Sequence, residues 1–317
     1  MLAEIVTSGW DWAFFVVTIL IFLAVDLGVF HRKAHVVGFR EALAWSALWF
    51  ALAIVFGVFI APRLAQNWTH VERDEFITGY IIELALSMDN VFVIAVIFSY
   101  FSVPLKFQHR VLYWGILGAL IMRGMMIGLG AAVIQEFSLV LYFLGGFLVF
   151  TGMKMVLSKT EEEIHPEKNI FIRATRRLFP VSTKFDGSKF VTTVNGRFAL
   201  TPLALVLVMV ETTDLVFAID SIPAIFGVTT NPFIVFTSNV FAILGLRSLY
   251  FVLAGAIGFF RYLKAGLSIV LCFIGLKMLI GKWVHIETKL SLIIVASIIL
   301  TSILMSVAAA KVNTTKK

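Results

Sequence analysis

Nine apolar runs fill most of this chain, each about as long as the ~20 residues a helix needs to cross a ~30 Å hydrocarbon layer. They lie near 12–30, 42–61, 77–100, 111–134, 137–157, 200–227, 233–257, 263–281 and 288–310. In lipid every backbone polar group must be satisfied within its own segment or a closed barrel, so uninterrupted apolar runs of this length are helices. The fold class is an all-α polytopic membrane protein. Composition agrees: 60% hydrophobic and 14% charged residues, with a mean hydropathy of +0.97, lie far outside soluble averages. The single cysteine, Cys272, falls inside an apolar run and cannot form an intrachain disulfide. Glu4 and Asp11 stand where a cleaved signal peptide would carry basic residues, which argues against one.

Loop charge orients the spans. Lys and Arg occupy "HRKAH" (31–35), "PLKFQHR" (104–110), the segment 158–199, "RYLK" (261–264) and the tail "KVNTTKK". The alternate loops hold "ERDE" (72–75), Glu136 and the uncharged "GVTTNP" (227–232), and only "GKWVHIETK" (281–289) goes mildly against the trend. The positive-inside rule then places the N-terminus outside and the C-terminus in the cytoplasm, as an odd number of spans requires. The net charge of +7 is thereby explained by topology, without nucleic acid as a partner. The lipid bilayer is the partner that composition demands, and the bacterial inner membrane the expected location.

Within 158–199, "PEKNIFIRATRRLF" (166–179) puts Ile170, Phe171, Ala174 and Leu178 on one helical face beside Arg173, Arg176 and Arg177. Such a helix lies on a membrane surface. "KFVTTVNGRFAL" carries Asn195-Gly196 between two β-type runs, a hairpin signal. The segment is either a structured connector or a regulatory element.

An internal repeat links the two halves. Asp89 in "SMDNVFVI" matches Asp214 in "TTDLVFAI", Arg123 in "LGALIMRGMMI" matches Arg247 in "FAILGLRSLYF", and "FTGMKMVL" (150–157) matches "FIGLKMLI" (273–280). The offsets of 125, 124 and 123 residues are nearly constant. A repeat of three helices is odd in number, so the second copy crosses the bilayer in the opposite sense. Inverted repeats of this kind place binding sites near the midplane, at the interface between copies. The chain divides into two N-terminal helices (1–70), a first repeat (71–157), the loop segment (158–199), a second repeat (200–284) and a last helix with a basic tail (285–317). Lys154 and Lys277 fall at opposite membrane faces under inversion, where both can snorkel. "VDLGVF" (25–30) is a fainter copy of "TDLVFA", which makes Asp26 either a relic of the same motif or an interfacial residue.

The repeat carries its costly residues in pairs. The third helix contributes Glu83, Ser87, Asp89 and Asn90; the sixth contributes Glu211, Thr212, Thr213, Asp214, Asp220 and Ser221. Ionisable groups at bilayer depth cost about 2.5–3.5 kcal/mol each on insertion scales and mark functional sites. Inversion sets the two lines of oxygen donors facing each other, and no histidine falls inside a span. Hard oxygen donors suit Mn²⁺, Mg²⁺ or Ca²⁺ rather than zinc. Glu83, Asp89, Glu211, Asp214 and Asp220 face Arg123 and Arg247, which leaves an excess of negative charge that a divalent cation or protons would offset. The opposing reading is that the acids and arginines are structural ion pairs, and that the hydroxyl residues are helix contacts. Met88 is either a soft ligand or packing. On a straight helix Asp220 lies about 180° from Glu211, and Asp89 about 120° from Glu83. Pro223 is therefore expected to kink or unwind the sixth helix near Ile219 and re-aim Asp220.

At these residues the chain resembles the TerC/Alx family of integral membrane proteins. The resemblance is carried by "DLGVFHRKAH", "FREALAWSALW", "TGYIIELALSMDNVFVIAVIFSYFSVP", "VETTDLVFAIDSIPAIFGVTTNPFIVFTSN" and "FAILGLRSLYF", nearly the whole chain. Leu84 departs from the pattern, since a polar residue is expected after Glu83. The family is similar to the LysE-type exporter superfamily. Membership implies manganese efflux or metal homeostasis, with a link to tellurite resistance, and implies metal ligation by Glu83, Asp89, Asn90, Glu211, Asp214 and Asp220. The expected activity is export of a divalent cation, most suitably Mn²⁺ as substrate, with proton antiport a natural coupling. The alternative is a membrane factor delivering Mn²⁺ to secreted proteins, with secretion machinery as partner. An enzyme is not expected: the pairings of an intramembrane aspartyl protease are missing. Tellurite itself, an anion, does not suit so many carboxylates.

Overall fold

A computed structural model describes residues 7–25, 38–137, 139–157, 169–194, 196–254, 262–284 and 286–315. Asp26, the "VDLGVF" echo beyond Val25 and the "HRKAH" loop lie outside the described residues. Eleven α-helices and one hairpin account for most of the rest. Among the described residues, eight helical stretches are long and apolar enough to span a bilayer: Phe39–Leu64, His70–Tyr100, Leu105–Glu136, Leu139–Leu157, Pro202–Phe226, Pro232–Leu253, Leu263–Ile280 and Thr288–Ala309. Of the expected first span, residues 12–25 fall in α1 (Gly9–Val25), whose 17 residues are fewer than those of the other eight, and 26–30 lie outside the described residues.

Helix starts follow local chemistry. Thr69 caps α4 (His70–Tyr100), its hydroxyl accepting from Val71 N at 3.2 Å while Glu72 accepts from Thr69 N at 2.7 Å. Pro202 opens α8 (Pro202–Phe226) where its missing N–H costs nothing. Asn231 caps α9 (Pro232–Ala254), accepting from Phe233 N and Ile234 N. The second span runs as α2 (Phe39–Val55), a π turn (Phe56–Ile60) and the short α3 (Ala61–Leu64). Phe15, Phe56, Phe76, Phe233 and Phe241 clasp α1, this span, α4 and α9 together through edge and tilted ring contacts.

Three helix pairs, each joining one helix before residue 158 to one after residue 200, run past each other in opposite directions. Following α4 from Gly79 to Asn90, its neighbours on α8 run back from Ile225 to Asp214. Between α5 (Leu105–Glu136) and α9, Arg123 meets Asn239, while Ile116 and Leu246 line one cavity. Between α6 (Leu139–Leu157) and α10 (Leu263–Ile280), Gly145 meets Gly275 and Gly152 meets Ser268 and Cys272. These two helices touch through backbone. A Cβ on Gly275 would stand 2.6 Å from the Gly145 carbonyl and 2.9 Å from Val149 N. Gly275→Val is therefore expected to destabilise the fold by about 1–3 kcal/mol, the usual cost of overpacking, read as a lower unfolding midpoint of the detergent-purified variant.

Between the repeats, α7 (Ile170–Leu178) is capped by Asn169, and β1 (Val191–Val194) pairs antiparallel with β2 (Arg197–Leu200), as the turn signal predicts. The last span is α11 (Thr288–Thr315), packed on α4 and α10.

One sequence expectation is corrected. Helix α8 is continuous from Pro202 to Phe226 despite Pro223. Pro223 sits in the last turn, where the carbonyl it deprives belongs to a helix about to end, and its own carbonyl accepts from Gly227 N at 3.0 Å. Helix α4 is also unbroken over its 31 residues.

Candidate functional site

Straight helices fix which acids can meet. Glu83, Ser87 and Asn90 recur at i, i+4 and i+7 and share one face of α4; all are buried, with exposures of 0%, 1% and 4%. Asp214 projects from α8 toward that face and accepts from Asn90 Nδ2 at 3.4 Å. Between them lies the guanidinium of Arg123, supplied by α5 and itself 2% exposed. Its Nη1 is bonded to Glu83 Oε1, its Nη2 donates to Asp214 Oδ1 at 2.9 Å and its Nε to Asp214 Oδ2 at 3.2 Å. Nη1 also reaches Ser221 Oγ at 3.3 Å and Asn239 Oδ1 at 3.4 Å. Four helices thus converge on one buried cation, held bidentately by Asp214.

The cluster is not closed. Glu83 Oε2, Ser87 Oγ and Asn90 Oδ1 are buried without a hydrogen-bond partner, as is Asn239 Nδ2. Leaving a buried polar atom unsatisfied costs about 1–3 kcal/mol, and three such oxygens on one face of α4 form an incomplete donor set. Two carboxyl groups, Glu83 and Asp214, share one guanidinium, so the trio holds one more acid than it has bases. A cavity of about 20 Å³ adjoins it, lined by Asp214 and Arg247 among apolar side chains such as Ile94, Ile116 and Val210. That is room for about one water molecule.

The other expected ligands are placed elsewhere. Asp89, half-buried on α4, lies within electrostatic reach of Lys264 on α10. Asp220 projects toward α6, where Thr151 and Lys154 are its partners, and α8 is not unwound there to re-aim it. Glu211 is close enough to Asp214 for their charges to interact, and its carboxylate rests where Gly118 of α5 has no side chain. Thr212 and Thr213 both donate to the Met209 carbonyl of their own helix, at 3.0 and 2.7 Å. Met88 packs in two apolar clusters. Among the described residues, no three His, Cys, Asp or Glu side chains are grouped to share an ion. Of the six expected ligands, Glu83, Asn90 and Asp214 gather at Arg123 with Ser221 and Asn239, while Asp89 and Asp220 face Lys264 and Lys154 on other helices.

Asn239 was not singled out from the sequence. Its signal is the buried polar triplet Thr237-Ser238-Asn239, three consecutive polar residues inside an apolar span.

The model of the integral membrane protein TerC family matches residues 68–317, which contain every element of this site. The chain belongs to the TerC family. An uncharacterized membrane protein of Myxococcus xanthus is 51% identical over 295 residues, covering 93% of this chain and 91% of the relative. The putative membrane-bound redox modulator Alx of Escherichia coli K12 is 44% identical over 300 residues, covering 93% of both chains. An uncharacterized membrane protein of Rickettsia bellii is 38% identical over 297 residues, covering 94% of this chain and 97% of the relative. No solved structure matches. This TerC-family chain is accordingly a multi-pass protein of the bacterial inner membrane. The match begins at residue 68, so α1 and α2 stand outside what the TerC family model describes.

Proposed function

We propose that this protein exports a divalent cation, most suitably Mn²⁺, through the Glu83–Asp214 site, and that Arg123 occupies that site as an internal counter-ion when the substrate is absent. The observation that carries the reading is the set of three unpartnered oxygens, Glu83 Oε2, Ser87 Oγ and Asn90 Oδ1, beside a clamped guanidinium. Hard, partly charged oxygens are the donors that Mn²⁺, Mg²⁺ and Ca²⁺ prefer. Exchanging a monovalent guanidinium for a divalent ion brings the two carboxylates to neutrality, so substrate and Arg123 compete for the same charge.

The antiparallel passage of α4 on α8, α5 on α9 and α6 on α10 supports an inverted repeat of residues 71–157 and 200–284, with 158–199 as connector. Alternating access then means rocking one unit against the other about the midplane site. The basic loops favour an outside N-terminus. Asp89 near Lys264 and Asp220 near Lys154 suit positions along the route rather than ligands, and protons carried by the emptied carboxylates would supply the antiport.

The name of the Escherichia coli relative invites a redox reading. One cysteine is present, and its Sγ packs 3.9 Å from the Val149 carbonyl at the α6–α10 contact. A lone thiol cannot cycle through an intrachain disulfide, so a redox effect would be indirect, through metal supply.

The test is metal flux in proteoliposomes containing Mn²⁺, Mg²⁺, Ca²⁺ or Zn²⁺ indicators, with and without a pH gradient. Mn²⁺ movement that Glu83→Gln abolishes is the expected result. Full Mn²⁺ flux in Glu83→Gln, or none in a folded wild-type protein for any of the four metals, would reject the reading.

A further inference from the structure

The connector holds an apolar face that, among the described residues, is largely left uncovered. Along α7, Ile172 turns inward, 1% exposed, into the cluster with Val206, Met209 and Leu203 of α8. Ile170, Phe171, Ala174 and Leu178 occupy a different sector, and Ile170 and Leu178 are more than two-thirds exposed. Phe179 and Phe198 extend that surface onto the hairpin, with ring centroids 6.3 Å apart.

The position of α7 against α8 sets its depth. At its start, Asn169 Nδ2 donates to Thr212 Oγ1 and to Met209 Sδ, both at 3.3 Å. Just past its end, the Pro180 carbonyl accepts from Leu200 N at 2.8 Å, two residues before α8 begins. Helix α7 therefore runs antiparallel beside the first ten or so residues of α8, its N-terminal end the deeper. Helix α8 has 25 residues, about 37 Å at 1.5 Å per residue, so it overreaches a ~30 Å hydrocarbon layer. The last turn of α7 lies beside the first residues of α8, the end that joins the basic connector. There Arg173, Arg176 and Arg177 are exposed. Arg110 at the start of α5 marks the same level, donating to Ser188 Oγ at 2.8 Å and lying over the Phe190 ring at 5.4 Å. Around this rim the described connector adds Lys184, Lys189 and Arg197 against one acid, Asp186.

We propose that α7 is an anionic-lipid docking element: Ile170, Phe171, Ala174 and Leu178 enter the acyl region, and Arg173, Arg176 and Arg177 bind the phosphates of acidic headgroups. An apolar sector alone would accept many occupants. Three arginines flanking it at headgroup level match a negatively charged leaflet, and a strongly amphipathic short helix with basic flanks is how peripheral segments bind one. The docking does not depend on what the protein transports. It has a mechanical link to the acid helix, because one amide serves both: Asn169 Oδ1 caps α7 through Phe171 N and Ile172 N, while Nδ2 holds Thr212, the neighbour of Glu211.

The test uses the full-length protein with Cys272→Ser and a single reporter thiol, Phe171→Cys or Leu178→Cys, carrying an environment-sensitive fluorophore. Nanodiscs are made with phosphatidylcholine alone or enriched in phosphatidylglycerol, each with and without spin-labelled lipid as quencher. Both positions are exposed, so neither substitution threatens folding. Quenching at both reporters is expected, strengthened by phosphatidylglycerol and weakened by salt. Each basic side chain near an anionic surface changes occupancy by a factor of about five, so Arg173→Gln, Arg176→Gln and Arg177→Gln together should erase the phosphatidylglycerol effect. Reporters that stay unquenched in both membranes overturn the proposal, as does disulfide crosslinking between two copies through Leu178→Cys without quenching. Quenching equal in neutral and acidic membranes overturns the headgroup assignment.

Discussion

Arg123→Gln protein is expected to unfold at a lower temperature than wild type, and Mn²⁺ is expected to restore much of the loss. Removing one partner of a buried pair costs about 3–5 kcal/mol because the remaining charge is left uncompensated. Here two carboxylates, Glu83 and Asp214, would lose the group that joins them. Glutamine keeps some hydrogen bonding and much of the volume, so the deficit is chiefly one of charge. A divalent ion supplies that charge at the same place. A ligand at 100 times its dissociation constant adds about 2.7 kcal/mol to the folded state, enough to recover most of the penalty. Wild type should respond to Mn²⁺ much less, since there the ion must first displace Arg123. The measurement is the unfolding midpoint of both proteins in detergent, titrated with Mn²⁺ and with Mg²⁺ as a comparison. A variant that is destabilised and yet indifferent to Mn²⁺ would mean that Arg123 is only a structural pair.

The spans were legible because bilayer depth is written as run length, and the hairpin because the turn demands a residue able to take φ of +75° at Gly196. The matching motifs of the two halves are legible in the residues, but helix packing is not: that Gly145 and Gly275 touch backbone to backbone depends on two helices 130 residues apart. The site shows the same boundary. Spacing along α4 puts Glu83, Ser87 and Asn90 on one face, and no residue of α4 says what that face meets. Whether Arg123 pairs with Glu83 or with Asp89 is set by the rotation of α4 against α5 and α8, which the apolar packing decides. The continuity of α8 at Pro223 was not legible for a local reason: a proline removes a hydrogen bond wherever it stands, but in the last turn the carbonyl it deprives belongs to a helix about to end.

That correction makes the acids unequal, and flux measurements should separate them. Asp214→Asn is expected to lower Mn²⁺ transport about a hundredfold, since a lost charged contact of roughly 2.7 kcal/mol spans two decades. Asn would still accept from Arg123 and Asn90, so the variant should fold. Asp220→Asn should stay within about fivefold of wild type. Its carboxylate is half-buried and its neighbours are Thr151 and the exposed Lys154, and partly exposed pairs contribute about 0–1 kcal/mol. Asp89→Asn, beside Lys264, should slow turnover while leaving half-saturation nearly unchanged, the signature of a residue on the route. The decisive comparison is between Asp214 and Asp220, six residues apart on the same helix with bearings that differ by about 120°. Equal loss in both variants would show that the ion travels with α8 rotated or unwound, and the static cluster around Arg123 would then be a resting lock rather than the binding site.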